Sequence, residues 1–206
     1  MSAAGPFPDK PSLEVAALTL ARGDRVLFED LSFAAGAGDY VELRGANGAG
    51  KTSLLRAIAG FLRPRAGRIH VRGHEERALA LHYVAHQNGL KGAASVWSHL
   101  RYWAGLFAAP GGEQFALDCL GLSRQRDLPA RVLSQGQARR LALARLLIAN
   151  RPIWLLDEPA AGLDAQGRDV INELIATHRA LGGLVLAAVH EPLGPSPAQT
   201  VALSTP

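Results

Sequence analysis

Residues 45–52 read Gly45-Ala46-Asn47-Gly48-Ala49-Gly50-Lys51-Thr52, which fits the pattern G-x-x-x-x-G-K-[ST] at every position. Glycines at this spacing let successive backbone N–H groups turn inward around a phosphate, and the helix that follows adds its partly positive N-terminus. Lys51 then reaches the β- and γ-phosphates, the Thr52 hydroxyl is placed to bind Mg²⁺, and Ser53 helps on the α-phosphate side. Alone, this pattern implies a nucleoside triphosphate and fits kinases, GTPases and motors alike; a glycine-rich turn matching by chance is the plainer reading. A second group lies far along the chain, where Ile153-Trp154-Leu155-Leu156-Asp157-Glu158 is an apolar run ending in two carboxylates. Asp157 is placed to hold Mg²⁺ directly or through water, and Glu158 to orient and deprotonate an attacking water. An acidic helix cap is the alternative.

The surrounding pattern must deliver these groups to one place. Tyr40 to Leu43 reads as a strand running into the glycine loop, and Thr52 to Leu62 carries Leu54, Leu55, Ile58 and Phe61 at helical spacing. Leu13 to Leu20 and Val26 to Phe33 flank a Gly23-Asp24 turn and predict an antiparallel hairpin. Arg68 to Val71 and Ala78 to Val84 suggest a second strand pair. Ala93 to Leu122, with Trp97, Tyr102, Trp103 and Phe107, turns helical. Ser134 to Asn150 predicts an amphipathic helix stopped by Asn150 and Pro152. Ile153 to Leu156 and Leu184 to Val189 are wholly apolar strands separated by a helix over Gln166 to Leu181, the mark of a parallel sheet covered on both faces. The expectation is an α/β fold in one domain over residues 12–206, with an antiparallel β region and a helical subdomain inserted at about 88–150. Residues 1–11 are expected to be a flexible tail.

Composition narrows the classes. With 206 residues, 48% hydrophobic and 19% charged, the chain has the balance of an ordinary globular domain. Its apolar stretches fall short of the roughly 20 residues that span a bilayer. Met1 to Pro11 lacks the basic head and apolar run of an export signal, and Cys119 has no partner for a disulfide, so a reducing compartment is expected. A net charge of +4 suits an anionic partner, membrane surface or nucleic acid, or simply a basic surface.

Leu133-Ser134-Gln135-Gly136-Gln137 discriminates among these classes, because it resembles the signature sequence of the ATP-binding cassette family. Ser134 sits where it would cap the next helix, so its hydroxyl, the amides near Gly136 and the helix dipole can face an anion. The resemblance implies the ABC-type P-loop ATPase fold, with ATP and Mg²⁺ as ligands. It also implies that Ser134, Gly136 and Gln137 act on ATP held by a second copy of the chain in a head-to-tail dimer. Gln87 looks like the glutamine that links Mg²⁺ to the helical lobe, Asp164 in Gly162-Leu163-Asp164 like the loop between subunits, and His190 like the switch histidine at the γ-phosphate. Arg22 stands where many cassettes place an aromatic ring under adenine; its guanidinium can stack, more weakly.

Local wording is similar to the ATP-binding subunit of the cytochrome c maturation (Ccm) haem exporter, notably His86-Gln87-Asn88-Gly89-Leu90-Lys91, Leu100-Arg101-Tyr102-Trp103 and Arg139-Arg140-Leu141-Ala142-Leu143-Ala144-Arg145-Leu146. That resemblance implies a peripheral protein on the cytoplasmic face of a bacterial inner membrane, bound to integral Ccm subunits. Haem ligation by the seven histidines is disfavoured, since none forms a metal-spaced cluster. Trp97, Tyr102 and Trp103 are expected to be lobe core or a face for the membrane partner. The rivals are a cassette for another cargo and a cassette acting on DNA or ribosomes; a P-loop kinase fits less well.

Overall fold

The computed structural model describes residues 6, 7 and 9–204. In chain order it contains β1 (Ser12–Arg22), β2 (Arg25–Ala35), β3 (Tyr40–Arg44), α1 (Lys51–Ile58) and β4 (Ala66–Arg72). Next come α2 (Arg77–Ala80), β5 (Leu81–Val84), α3 (Val96–Leu106), α4 (Glu113–Cys119), α5 (Gln135–Leu143) and α6 (Arg145–Ile148). The last part holds β6 (Ile153–Asp157), α7 (Ala165–Ala180), β7 (Leu184–Ala188) and β8 (Gln199–Ala202).

The long strands β1 and β2 pair across their tight turn, and β4 adds to the other edge of β1, giving an antiparallel sheet β2-β1-β4. β1 buries Leu13 and Val15 and then Leu18 and Leu20, so its inward face changes parity midway. Ala17, at φ 49°, is where the pairing register slips and the parity is corrected. Gly67 faces this bulge: a Cβ there would lie 2.3 Å from the Ala17 carbonyl oxygen.

The second sheet is parallel, in the order β5-β6-β7-β3-β8. β6 and β7 are buried throughout, and alternate residues feed opposite cores. Trp154, Leu156, Val185 and Ala187 join the helical side with Leu100, Leu117, Leu141 and Ile171. Ile153, Leu155, Leu184 and Leu186 join α1 and the antiparallel sheet through Leu54, Ile58, Leu18 and Phe28. The parallel sheet is therefore the middle layer, and its carboxyl edge is where an acid-tipped strand and the glycine loop can meet.

Two expectations change. Arg68–Val71 and Ala78–Val84 do not pair: β4 bonds to β1, whereas Ala78–Ala80 belong to the short helix α2 and β5 enters the parallel sheet beside β6. The helix expected over 134–150 is interrupted at Ala144, whose N–H bonds to Leu141 O three residues back, while the Arg145 side chain donates to Ala142 O at 2.9 Å. Of the expected tail, residues 1–5 and 8 lie outside the described residues, and Phe7 is buried, edge-on to His178. Of the aromatic trio, Trp103 is core, Trp97 is half-buried beneath the Arg126 guanidinium, and Tyr102 is exposed.

Two buried histidines predict a pH response. His82 Nε2 lies 2.8 Å from Ala149 O, and the His178 ring stacks on Trp154 with centroids 3.8 Å apart. Burial lowers the pKa of His82 to about 3 and of His178 to about 4. In the unfolded chain both titrate near the ordinary value of about 6.5, so below that pH the unfolded state binds more protons. Stability is thus lost as pH falls from about 6.5 towards the folded values, by up to about 1.4 kcal/mol per pH unit for each histidine. The urea midpoint is expected to be lower at pH 5.5 than at pH 7, with a shallower fall in His178→Phe; an equally steep fall in that variant would remove His178 from the account.

Candidate functional site

β3 delivers the chain to Gly45 at the carboxyl edge of the parallel sheet. Gly45 has φ 151°, and a Cβ on it would lie 2.3 Å from the Leu203 carbonyl oxygen, so the loop begins its turn pressed against the segment after β8. Gly50, at φ 101°, closes the loop against the Phe28 ring and lets α1 start with its N–H groups facing the loop. Lys51 is buried and folds back, its Nζ donating to Gly45 O at 2.7 Å and Ala46 O at 3.3 Å. At the other end of α1, the Arg77 guanidinium donates to the carbonyls of Ala57 and Ile58, satisfying groups the helix leaves free.

Thr52 Oγ1 donates to Asp157 Oδ1 at 3.0 Å, which joins the loop to the tip of β6. Asp157 is buried, and Tyr83 on the neighbouring β5 has its phenol pushed up to about 12 by burial and by the Asp157 carboxylate. Glu158 takes φ 51°, unusual for a residue with a side chain, and its N–H is fixed to Ala188 O at 3.0 Å. Its carboxylate lines the cleft, where Oε1 lies 3.2 Å from Nε2 of His190, whose side chain is 54% exposed just past β7.

A cleft of about 620 Å³ collects these groups. Ala46, Asn47, Gly48, Gly50, Lys51, Thr52 and Ser53 form its loop side, Asp157, Glu158 and His190 its far side, and Arg22 with Gly23 its outer end. Ala49 is buried beneath the loop. Gln87 is exposed and does not line the cleft, whereas its exposed neighbour His86 does.

Ser134, Gly136, Gln137 and Asp164 also lie outside this cleft. Ser134 Oγ accepts from Gln137 N at 3.2 Å and Gln137 Oε1 accepts from Ser134 N at 2.9 Å, a capping box at the start of α5. Asp164 caps α7 by accepting from Gly167 N at 2.8 Å. The two caps are neighbours, since a Cβ on Gly136 would lie 3.1 Å from Gly162 O. Both Ser134 and Asp164 are exposed, and neither lines their own chain's cleft.

Sequence reading gave no role to Arg139, which is 2% exposed within α5. Its NH2 donates to Asp157 O at 2.6 Å and Glu158 O at 2.8 Å, and its Nε to Pro159 O at 3.2 Å. Its NH1 donates to Ala85 O at 2.7 Å, His86 O at 3.4 Å and Asn88 Oδ1 at 3.1 Å. Burial lowers its pKa to about 10, which leaves it charged at neutral pH. The available signal was its place on the inward stripe, three and four residues before the buried Ala142 and Leu143.

The family description "ABC transporter" matches residues 28–161. The cytochrome c biogenesis ATP-binding export protein CcmA of Rhodopseudomonas palustris (strain BisB5) is 46% identical over 181 residues, 86% of this chain and 90% of that protein. The protein of the same name from Hyphomonas neptunium is 42% identical over 184 residues, 89% and 92% of the two chains. Among solved structures, an ATP-binding subunit of an ABC transporter superposes with a TM-score of 0.78 at 25% identity, covering 86% of this chain and 79% of that one. A bacterial Atm1-family ABC exporter with ATP bound reaches 0.82 at 23% identity over 95% of this chain and 37% of that one, a likeness of fold alone. Relatives that span nearly the whole sequence and the family description converge, and the chain belongs to the ABC transporter family, among its ATP-binding subunits.

Proposed function

We propose that this ATP-hydrolysing subunit powers the haem exporter of cytochrome c maturation, supporting haem delivery to, or release of, the periplasmic haem chaperone. The observation that carries the reading is the 46% identity to a cytochrome c biogenesis export protein across most of both chains. The chain sits on the cytoplasmic face of the inner membrane as a peripheral subunit bound to integral Ccm subunits. Among the described residues no helix is long and apolar enough to cross a membrane.

ATP lies in the cleft with its phosphates on the Gly45–Ser53 loop and its base against the Arg22 guanidinium. Loop N–H groups and Lys51 Nζ hold the β- and γ-phosphates, and Ser53 reaches the α-phosphate. The Thr52 hydroxyl and the Asp157 carboxylate, 3.0 Å apart, are hard oxygen donors that fit Mg²⁺, an ion that takes one or two protein oxygens beside phosphate. When bound, it supplies positive charge to the β- and γ-phosphate oxygens. Gln87 joins this shell only if its side chain turns inward from the surface. Glu158 accepts the proton of the attacking water, and His190 orients that carboxylate and faces the γ-phosphate. Ser134, Gly136, Gln137 and Asp164, exposed or near the surface outside their own cleft, serve the cleft of a second copy in an ATP-sandwich dimer.

The test is a pull-down of the chain from detergent-solubilised membranes of its host, with partners identified by mass spectrometry. Recovery of integral Ccm subunits is the expected result. Another permease would keep the ATPase and change the cargo, and ribosomal or DNA-bound partners would overturn the transporter reading.

A further inference from the structure

Successive backbone carbonyls seldom converge on one point, because their dipoles repel unless a cation sits between them. At the tip of β6 the carbonyls of Asp157, Glu158 and Pro159 do converge, and the cation is the guanidinium of Arg139. The same guanidinium also takes Ala85 O, His86 O and the side-chain oxygen of Asn88. Among the described residues Arg139 has no hydrogen-bonded carboxylate: its partners there are five backbone carbonyls and one amide oxygen. A buried charge is expensive to keep, and a leucine would fill this stripe position on α5 at lower cost. What an arginine does here, and an apolar residue cannot, is fasten two loops from different parts of the chain to one helix. One loop carries Glu158 in its left-handed conformation, φ 51°. The other carries His86, which lines the cleft, and is also held from Arg145 NH2 to Asn88 O at 3.1 Å. The helix is the one that begins at the Ser134 cap.

We infer that Arg139 is a positioning residue for hydrolysis: it fixes the turn that aims Glu158 and registers that turn, together with the Ala85–Asn88 loop, on the signature helix α5. The phosphate loop makes no bond to Arg139, so nucleotide binding and hydrolysis should separate when it is changed. This inference rests on Glu158 being the base, and the experiment therefore carries Glu158→Gln as a parallel control on that assignment.

The full-length chain is prepared as Arg139→Lys, Arg139→Leu and Asn88→Ala, with thermal melting to confirm folding. Affinity for a fluorescent ATP analogue and kcat for ATP are measured separately, with and without host membranes. Arg139→Leu is expected to bind nucleotide within about 3-fold of wild type and to lose roughly 10- to 100-fold in kcat, the scale set by an ångström of misplacement at a reacting group. Arg139→Lys, which keeps the charge and part of the bonding, should recover some of that loss. Asn88→Ala, which removes one acceptor, should lose a few-fold and stands in if Arg139→Leu does not fold. Wild-type kcat in folded Arg139→Lys and Asn88→Ala would overturn the inference, as would a parallel fall of affinity and kcat, which marks a general scaffold role. Normal turnover in Glu158→Gln would instead remove the base assignment.

Discussion

Glu158→Gln is expected to bind ATP with near wild-type affinity while kcat falls roughly 10²- to 10⁴-fold, the range for loss of a positioned general base. The substitution is nearly isosteric, leaves the Ala188 hydrogen bond to the backbone of residue 158 intact, and keeps a polar group facing His190. It removes only the ability to take a proton. ATP should then persist in the cleft, and ATP-dependent dimers should accumulate on size-exclusion chromatography. Hydrolysis at the wild-type rate would mean that another group takes the proton, and His190 would be the next to test.

Lys51→Ala is expected to act on binding instead. Its ammonium lies buried against Gly45 O and Ala46 O, at the edge of the space the phosphates occupy. Hydrogen bonds to charged groups contribute about 1.5–3 kcal/mol, so affinity should fall roughly 10- to 100-fold. Isothermal titration with ATP reads this directly, and an unchanged Kd would remove the loop assignment. The two variants separate the tasks: one holds nucleotide without turning it over, and the other fails to hold it.

What could be read in the sequence is what depends on neighbours along the chain. The glycine loop, the Ser134 cap and the acid-tipped strand are set by local backbone geometry, and their residues do lie where spacing put them. What could not be read depends on distant partners. Consecutive segments at 68–71 and 78–84 suggest a strand pair, yet the edge bonds of β4 go back to β1. Arg139 looks like one basic residue in a basic run, and only the convergence of residues 85–88 and 157–159 around it gives it a task. Gln87 and His86 are adjacent, and only His86 lines the cleft, in a segment whose His86 and Asn88 carbonyls are held by the distant Arg139 and Arg145. Phe7 shows the same limit, because it packs on His178, far along the chain, which in turn stacks on Trp154.

The place of β3 has a consequence for biosynthesis. This strand is made early, but its two neighbours in the sheet are β7 and β8, and the loop it feeds rests on Leu203, whose N–H bonds to Arg44 O at 2.7 Å. The antiparallel sheet, by contrast, has all three of its strands within the first 72 residues. As the chain leaves the ribosome, that sheet can form first, whereas the strand carrying the phosphate loop stays without its partners until translation has passed residue 203. Nucleotide can therefore serve as a reporter of completed synthesis: a nascent chain stalled before β7 should not retain it.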